Sequence, residues 1–317
     1  MRGQIALAIV AAMAMPAAAD SNDLVLSRLG TRITDPNGML TGVIGQNLEF
    51  RELSSQLGVV LAPHLLTPAD TIGFGGFQMT VDYAQTSIDS GASSWRAREG
   101  TAPTSAMNTV GFFVRKGMWF PVPSFEVGAG AVHLVDSHMW AGQLYAKVAL
   151  HEGYHDLPLP SLAVRGAVSR NMNQNQLDLT IASLDAIVSK HIGVGGTWRF
   201  DPYLGWNTLF IIPRSEVLDP TPNIDSLQPG QNSDSLLNFT FKDQNNIIRQ
   251  RFIAGAKMQY YIFQLTLEFQ YAFAGSSVDD RTGTNMACVE GSMTTNCDAK
   301  DAAKAQQTLA FSAGFDF

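Results

Sequence analysis

Between about residue 72 and the last residue, successive runs of apolar and polar side chains alternate with a period of two, as strands with one face in each environment require. Phe263, Leu265, Leu267, Phe269, Tyr271 and Phe273 occupy odd positions, while Gln264, Thr266, Glu268 and Gln270 occupy even ones. Just before them, Phe252, Ala254, Ala256, Met258 and Tyr260 oppose Arg251, Gly255, Lys257 and Gln259, so the two runs predict a hairpin. The same parity sets Phe77, Met79, Val81 and Tyr83 against Gln78, Thr80 and Asp82, and Leu144, Ala146 and Val148 against Gln143, Tyr145 and Lys147. Ten strands are predicted, at roughly 72–87, 106–118, 122–134, 139–151, 161–170, 177–190, 202–213, 247–260, 262–274 and 307–317. A slip of parity around Ala182 and Ser183 predicts a bulge in the sixth.

Residues 50–61 break this rhythm. Phe50, Leu53, Leu57, Val60 and Leu61 recur at helical spacing and predict a short amphipathic helix, whose apolar face covers or enters one mouth of a barrel. The alternative makes 56–66 a first strand and splits 177–200 into two, which raises the count to twelve.

At the N-terminus, Met1 and Arg2 precede an apolar stretch from Ile5 to Met15, then Pro16 and Ala17-Ala18-Ala19, which reads as a secretory signal peptide cut after Ala19. Beyond it, no run is long and apolar enough for a membrane-spanning helix. At the other end, Leu309, Phe311, Ala313, Phe315 and Phe317 alternate with smaller or polar residues. This last strand with its terminal Phe resembles the assembly signal of bacterial outer-membrane β-barrel proteins. The resemblance implies an all-β, antiparallel up-and-down barrel of about ten strands in the outer membrane, with outer-membrane lipid and the barrel-assembly machinery as partners. The organisation it implies is a leader at 1–19, a periplasmic or plugging segment at 20–70 and a barrel at 71–317. A secreted β-sandwich is the competing fold. Its polar faces would meet bulk water, whereas here they mix Gly, Ala and Ser with opposite charges, as a narrow lumen needs.

A last strand running down to the periplasm puts 88–105, 135–138, 171–176, 214–246 and 275–306 outside, which makes the three longest connections extracellular. Phe74, Trp119, Phe120, Trp198, Tyr203, Tyr260, Tyr261 and Phe317 then form a periplasmic aromatic girdle, and Tyr83, Trp140, Phe210 and Phe273 an outer one. The polar faces carry Asp82, Glu126, Asp185, Glu268 and Asp316 against Arg115, Lys147, Arg165, Arg249, Arg251 and Lys257. Such near balance predicts paired charges filling the lumen rather than the single-sign ring of an ion-selective pore. Ten strands leave at most a narrow path, which excludes a general porin.

Over 317 residues, 21 Lys and Arg stand against 28 Asp and Glu, with no basic run, so no nucleic-acid partner is expected. Cys288 and Cys297 lie close together in a polar segment of an exported chain and predict a local disulfide. His151-Glu152-Gly153-Tyr154-His155 matches the zinc-peptidase pattern H-E-x-x-H. Strand alternation precedes it and Asp156-Leu157-Pro158-Leu159-Pro160 follows, so the helix such a site needs does not form, and no metal is expected. Asp136-Ser137-His138 on an outer rim resembles the Asp-x-His pair of omptins, ten-stranded outer-membrane proteases. That resemblance implies His138 as a base activating water and Asp136 as its orienting acid. The second acidic pair of an omptin is missing. No nucleotide or other cofactor motif is present, and no enzymatic activity is expected. The chain reads as a narrow or plugged outer-membrane barrel, with partner binding through loops 214–246 and 275–306 as the alternative, and omptin-like proteolysis after that.

Overall fold

The computed structural model describes residues 20–38, 40–102, 104–153, 159–220, 237–244, 247–278 and 300–317. The predicted leader, Tyr154, His155, Cys288 and Cys297 lie outside the described residues. A small hairpin of β1 (Gly30–Thr34) and β2 (Leu40–Gly45) leads into α1 (Asn47–Val60). The wall strands are β3 (Phe77–Ser87), β4 (Ala106–Met118), β5 (Phe125–Leu134), β6 (Trp140–His151), β7 (Ser161–Met172), β8 (Leu177–Ser189), β10 (Trp198–Ser215), β11 (Ile247–Tyr260), β12 (Phe263–Ala272) and β13 (Gln306–Asp316). A short β9 (Ile192–Val194) only extends the turn before β10.

Each wall strand pairs antiparallel with its sequence neighbour, and β13 pairs with β3, closing a ten-stranded barrel. Closure is completed where Phe77 and Phe317 exchange two backbone hydrogen bonds of 2.9 and 2.8 Å, so β3 and β13 leave no open seam between them. Residues 56–66 are not a wall strand, so the twelve-strand alternative fails: they finish α1 and continue as an extended segment.

The wall is inside-out relative to a soluble fold. Val81, Leu144, Leu184, Leu267 and Leu309 are each more than half exposed, whereas Glu126, Lys147 and Glu268 are completely buried. Apolar side chains facing out and charges facing in fit hydrocarbon outside the wall and exclude the sandwich. Aromatic rings stand exposed at both rims, with Trp119, Phe120 and Tyr261 at one and Tyr83, Trp140 and Phe273 at the other. Tyr203 departs from the expected girdle. It points into the lumen, 2 % exposed, and packs over its cross-strand neighbour Gly255, where any Cβ would collide with the ring. Tyr145 covers Gly128 in the same way across β5 and β6.

The predicted bulge near Ala182 is also absent. β8 pairs with β7 and β10 without a register shift, and its inward positions run Leu177, Leu179, Ile181, Ser183, Asp185, Ile187 and Ser189. The apparent slip is a change in what the lumen holds. Near the long-loop end the wall's inner face is apolar, with Met107, Leu134, Leu179, Leu209 and Ile211 packing against Phe50, Leu53, Leu57 and Val60 of α1. Gly58 lets α1 approach closely, since a Cβ there would fall 2.5 Å from Ile211. Below that level the inner face turns polar and charged, and the chain descends through it from Leu61 to Ile72.

Candidate functional site

The extended stretch from Leu61 to Ile72 belongs to no strand or helix that would satisfy its backbone, yet most of it is buried inside the barrel. A buried backbone group left unpaired costs about 1–3 kcal/mol. Here the inward polar side chains of the wall supply the partners. Gln143 Nε2 and Ser169 Oγ donate to the Leu61 carbonyl at 3.1 and 2.9 Å. Arg251 Nη2 donates to Pro63 O at 2.9 Å and Arg165 Nη1 to His64 O at 2.7 Å. The Glu268 carboxylate accepts the amides of Leu65 and Leu66 at 3.2 and 2.8 Å. Lys147 Nζ then donates to Thr67 Oγ1, Pro68 O and Asp70 O at 3.1, 3.0 and 3.0 Å. Further down, Ser189 Oγ accepts from Ala69 N at 3.1 Å, and Glu126 accepts from Ile72 N at 3.0 Å.

Bases meet carbonyls and acids meet amides, so wall charge follows the polarity of the segment's backbone. The remaining predicted charges support this set. Lys147 lies 3.2 Å from Glu126, and Arg165 Nε lies 2.7 Å from Asp185. Tyr145 and Tyr203 donate to Glu126 and Glu268 at 2.7 and 2.6 Å, which fixes both carboxylates from the wall side. Arg249 donates to Ser55 Oγ of α1 at 2.9 Å. Asp82 accepts from Ser312 at 2.5 Å and lies 3.9 Å from Arg115, which itself donates to Gln78 and Thr80. Lys257 and Asp316 pair at 3.1 Å near the short-turn end. The sequence pattern pairs these charges mainly with one another and does not single out Gln143, Ser169, Ser189 or the tyrosines as partners of the segment. Their inward parity is readable, but the segment they serve lies in a different part of the chain.

Glu152 of the zinc-peptidase match also serves the segment. It accepts from Thr71 N at 3.0 Å, Thr71 Oγ1 at 2.5 Å and Ser124 Oγ at 2.8 Å.

The N-terminal end of the described chain lies at the long-loop mouth. Asn22 N donates to Asp136 O at 2.8 Å, and Leu26 N to Gln176 Oε1 at 2.7 Å. The acid facing His138 is Asp23, not Asp136: His138 Nδ1 is 2.5 Å from Asp23 Oδ2, and Asp136 serves the turn with a positive φ of 57°. With Asp20, these two residues bring three ligand atoms within 4.8 Å of one another, on the surface. The Asp23 hydrogen bond and charge raise the His138 pKa above its ordinary value. A raised folded-state pKa means that this anchor is at full strength below about pH 6.5 and is lost as pH rises through the raised value. His138 should therefore titrate above that point by NMR, and Asp23→Asn should return it. An unmoved midpoint in that variant would show that the pair does not form in solution.

A closed antiparallel barrel with an apolar outer belt, aromatic rims and a charged interior defines an outer-membrane β-barrel, and the protein is one. No family model matches the sequence, and no curated protein does. Among solved structures, the fold is similar to Ail, the attachment invasion locus protein of Yersinia pestis, at 10% identity and a TM-score of 0.27, over 77% of this chain and 99% of that one. Neisserial surface protein A matches at 11% identity and a TM-score of 0.29, over 76% and 97% of the two chains. The outer membrane protein Omp33 of Acinetobacter baumannii matches at 9% and 0.26, over 76% and 99%. The closed strand order and the lipid-facing belt, rather than these distant similarities, define the class.

Proposed function

We propose that this outer-membrane barrel is closed by its own N-terminal segment, passes no solute in this state, and acts through the long-loop end, which faces outward. The observation that carries the reading is the burial of the mid-lumen charges. Glu126, Lys147, Arg251 and Glu268 are 0 % exposed, whereas the wall of an aqueous conduit would be wetted. Eight strands are just filled by wall side chains, so ten leave room for one extra chain segment, and Leu61–Ile72 takes it. The reading assigns His138 to holding the N-terminal segment through Asp23 rather than to activating water.

Single-channel recording in a planar bilayer checks this. The mature chain is expected to be silent, and a variant lacking residues 20–72 to show steps, provided that it still migrates as a folded, heat-modifiable species. Steady steps from the intact chain would overturn the closed-barrel reading. Silence from the folded truncated barrel would limit the segment to a structural role.

A further inference from the structure

At the long-loop mouth, the connection between β3 and β4 and the chain around Arg28 enclose a cavity of about 410 Å³. Its lining combines three arginines, Arg28, Arg96 and Arg98, with the hydroxyl residues Ser90 and Thr104 and the apolar Ile88 and Trp95, and no Asp or Glu among the described residues lines it. Arg96 has an acid outside the lining, Glu49 at 2.6 Å. Arg98 has none. It is 7 % exposed, and its guanidinium bonds to uncharged oxygens, the Asn22 side chain at 3.4 Å and the Ala102 carbonyl. Burial lowers its pKa with no anionic neighbour to offset the loss of water. Arg28 contributes a second cation whose Nη1 is held by the carbonyls of Arg98 and Glu99 at 2.6 and 3.4 Å. A buried arginine is normally matched by an anion, and a planar guanidinium bonds phosphate oxygens in pairs.

We propose that this cavity is a binding site for a phosphorylated sugar, with the phosphoryl oxygens on Arg98, Arg28 and Arg96 and the sugar ring over Ile88 and Trp95. The volume suits a small ligand, and hydroxyls beside an apolar floor are what a pyranose ring needs. Both a free sugar phosphate and the phosphorylated sugar headgroup of an outer-leaflet lipid carry this chemistry. The proposal does not depend on the closed lumen: current through the intact chain would refute that reading and leave this one standing.

The test is titration calorimetry on the full mature chain in detergent at low salt, with glucose 6-phosphate, inorganic phosphate and glucose as ligands. Saturable binding of glucose 6-phosphate, weaker binding of inorganic phosphate and none of glucose are expected. Arg96→Gln changes a half-exposed side chain and should leave folding intact while weakening binding about 10-fold, the effect of losing one charge-assisted contact. Arg98→Gln should weaken it further, and Arg170→Gln, an exposed arginine on β7 with its own partner Asp178, should leave it unchanged. Competition by lipopolysaccharide, with none from its dephosphorylated form, would support the lipid source, and its failure to compete would support the soluble one. The proposal is overturned if glucose 6-phosphate gives no saturable binding at millimolar concentration, or if Arg96→Gln, folded, binds it as the parent does.

Discussion

Replacing Lys147 with methionine is expected to lower the stability of the folded barrel by about 3–5 kcal/mol, the usual result of removing one member of a buried ion pair. The methionine nearly preserves volume, so the effect is electrostatic rather than a cavity. Four groups lose their partner at once: the Glu126 carboxylate at 3.2 Å, and the oxygens of Thr67, Pro68 and Asp70 at about 3 Å. Glu126 keeps Tyr145 and the Ile72 amide, but its cation is gone. The check is the urea dependence of folding into detergent micelles, followed by gel mobility and tryptophan fluorescence. A midpoint within error of the parent would mean that the ammonium is solvated and that the segment does not lie against β6.

The second large effect is expected at Glu268, where it should fall on the segment more than on the wall. Glu268→Ala leaves the amides of Leu65 and Leu66 and the Tyr203 hydroxyl without their acceptor, at about 1–3 kcal/mol for each buried group left unpaired. The wall hydrogen bonds between β11, β12 and β13 do not involve this side chain. The barrel should therefore remain heat-modifiable while the segment loosens, and brief current steps should interrupt an otherwise silent record. Loss of the barrel without any such intermediate state would show that segment and wall unfold as one unit.

Much of this fold was legible in the sequence because a barrel strand writes its environment at every second residue. The expected limits of β4, 106–118, match the structure, and those of β11, 247–260, do so too. Predicted inward charges such as Arg165, Asp185 and Glu268 are buried for the same reason. Where the alternation failed, the cause was tertiary. The inner face of β8 is apolar at Leu177, Leu179 and Ile181 because α1 fills that level, so a continuous strand imitated a bulge. Tyr203 looked like a rim residue because an aromatic beside Trp198 fits a girdle, but its partners, Gly255 and Glu268, are distant in the chain. The acid nearest His138 in sequence is Asp136, two residues away, whereas the structure supplies Asp23, 115 positions earlier. Nothing local marks Leu61–Ile72 as an interior segment. Its sequence carries few charges, and apart from Glu152 the side chains that satisfy its backbone lie on wall strands.

Amide hydrogen exchange of the mature chain in micelles, read by mass spectrometry or NMR, tests most directly whether the wall charges satisfy the backbone of that segment. Leu65, Leu66, Ala69 and Ile72 are each predicted to be protected on the timescale of the wall strands, although none belongs to a helix or strand. Exchange at these four amides at the rate of an unstructured peptide, with the wall still protected, would contradict the account.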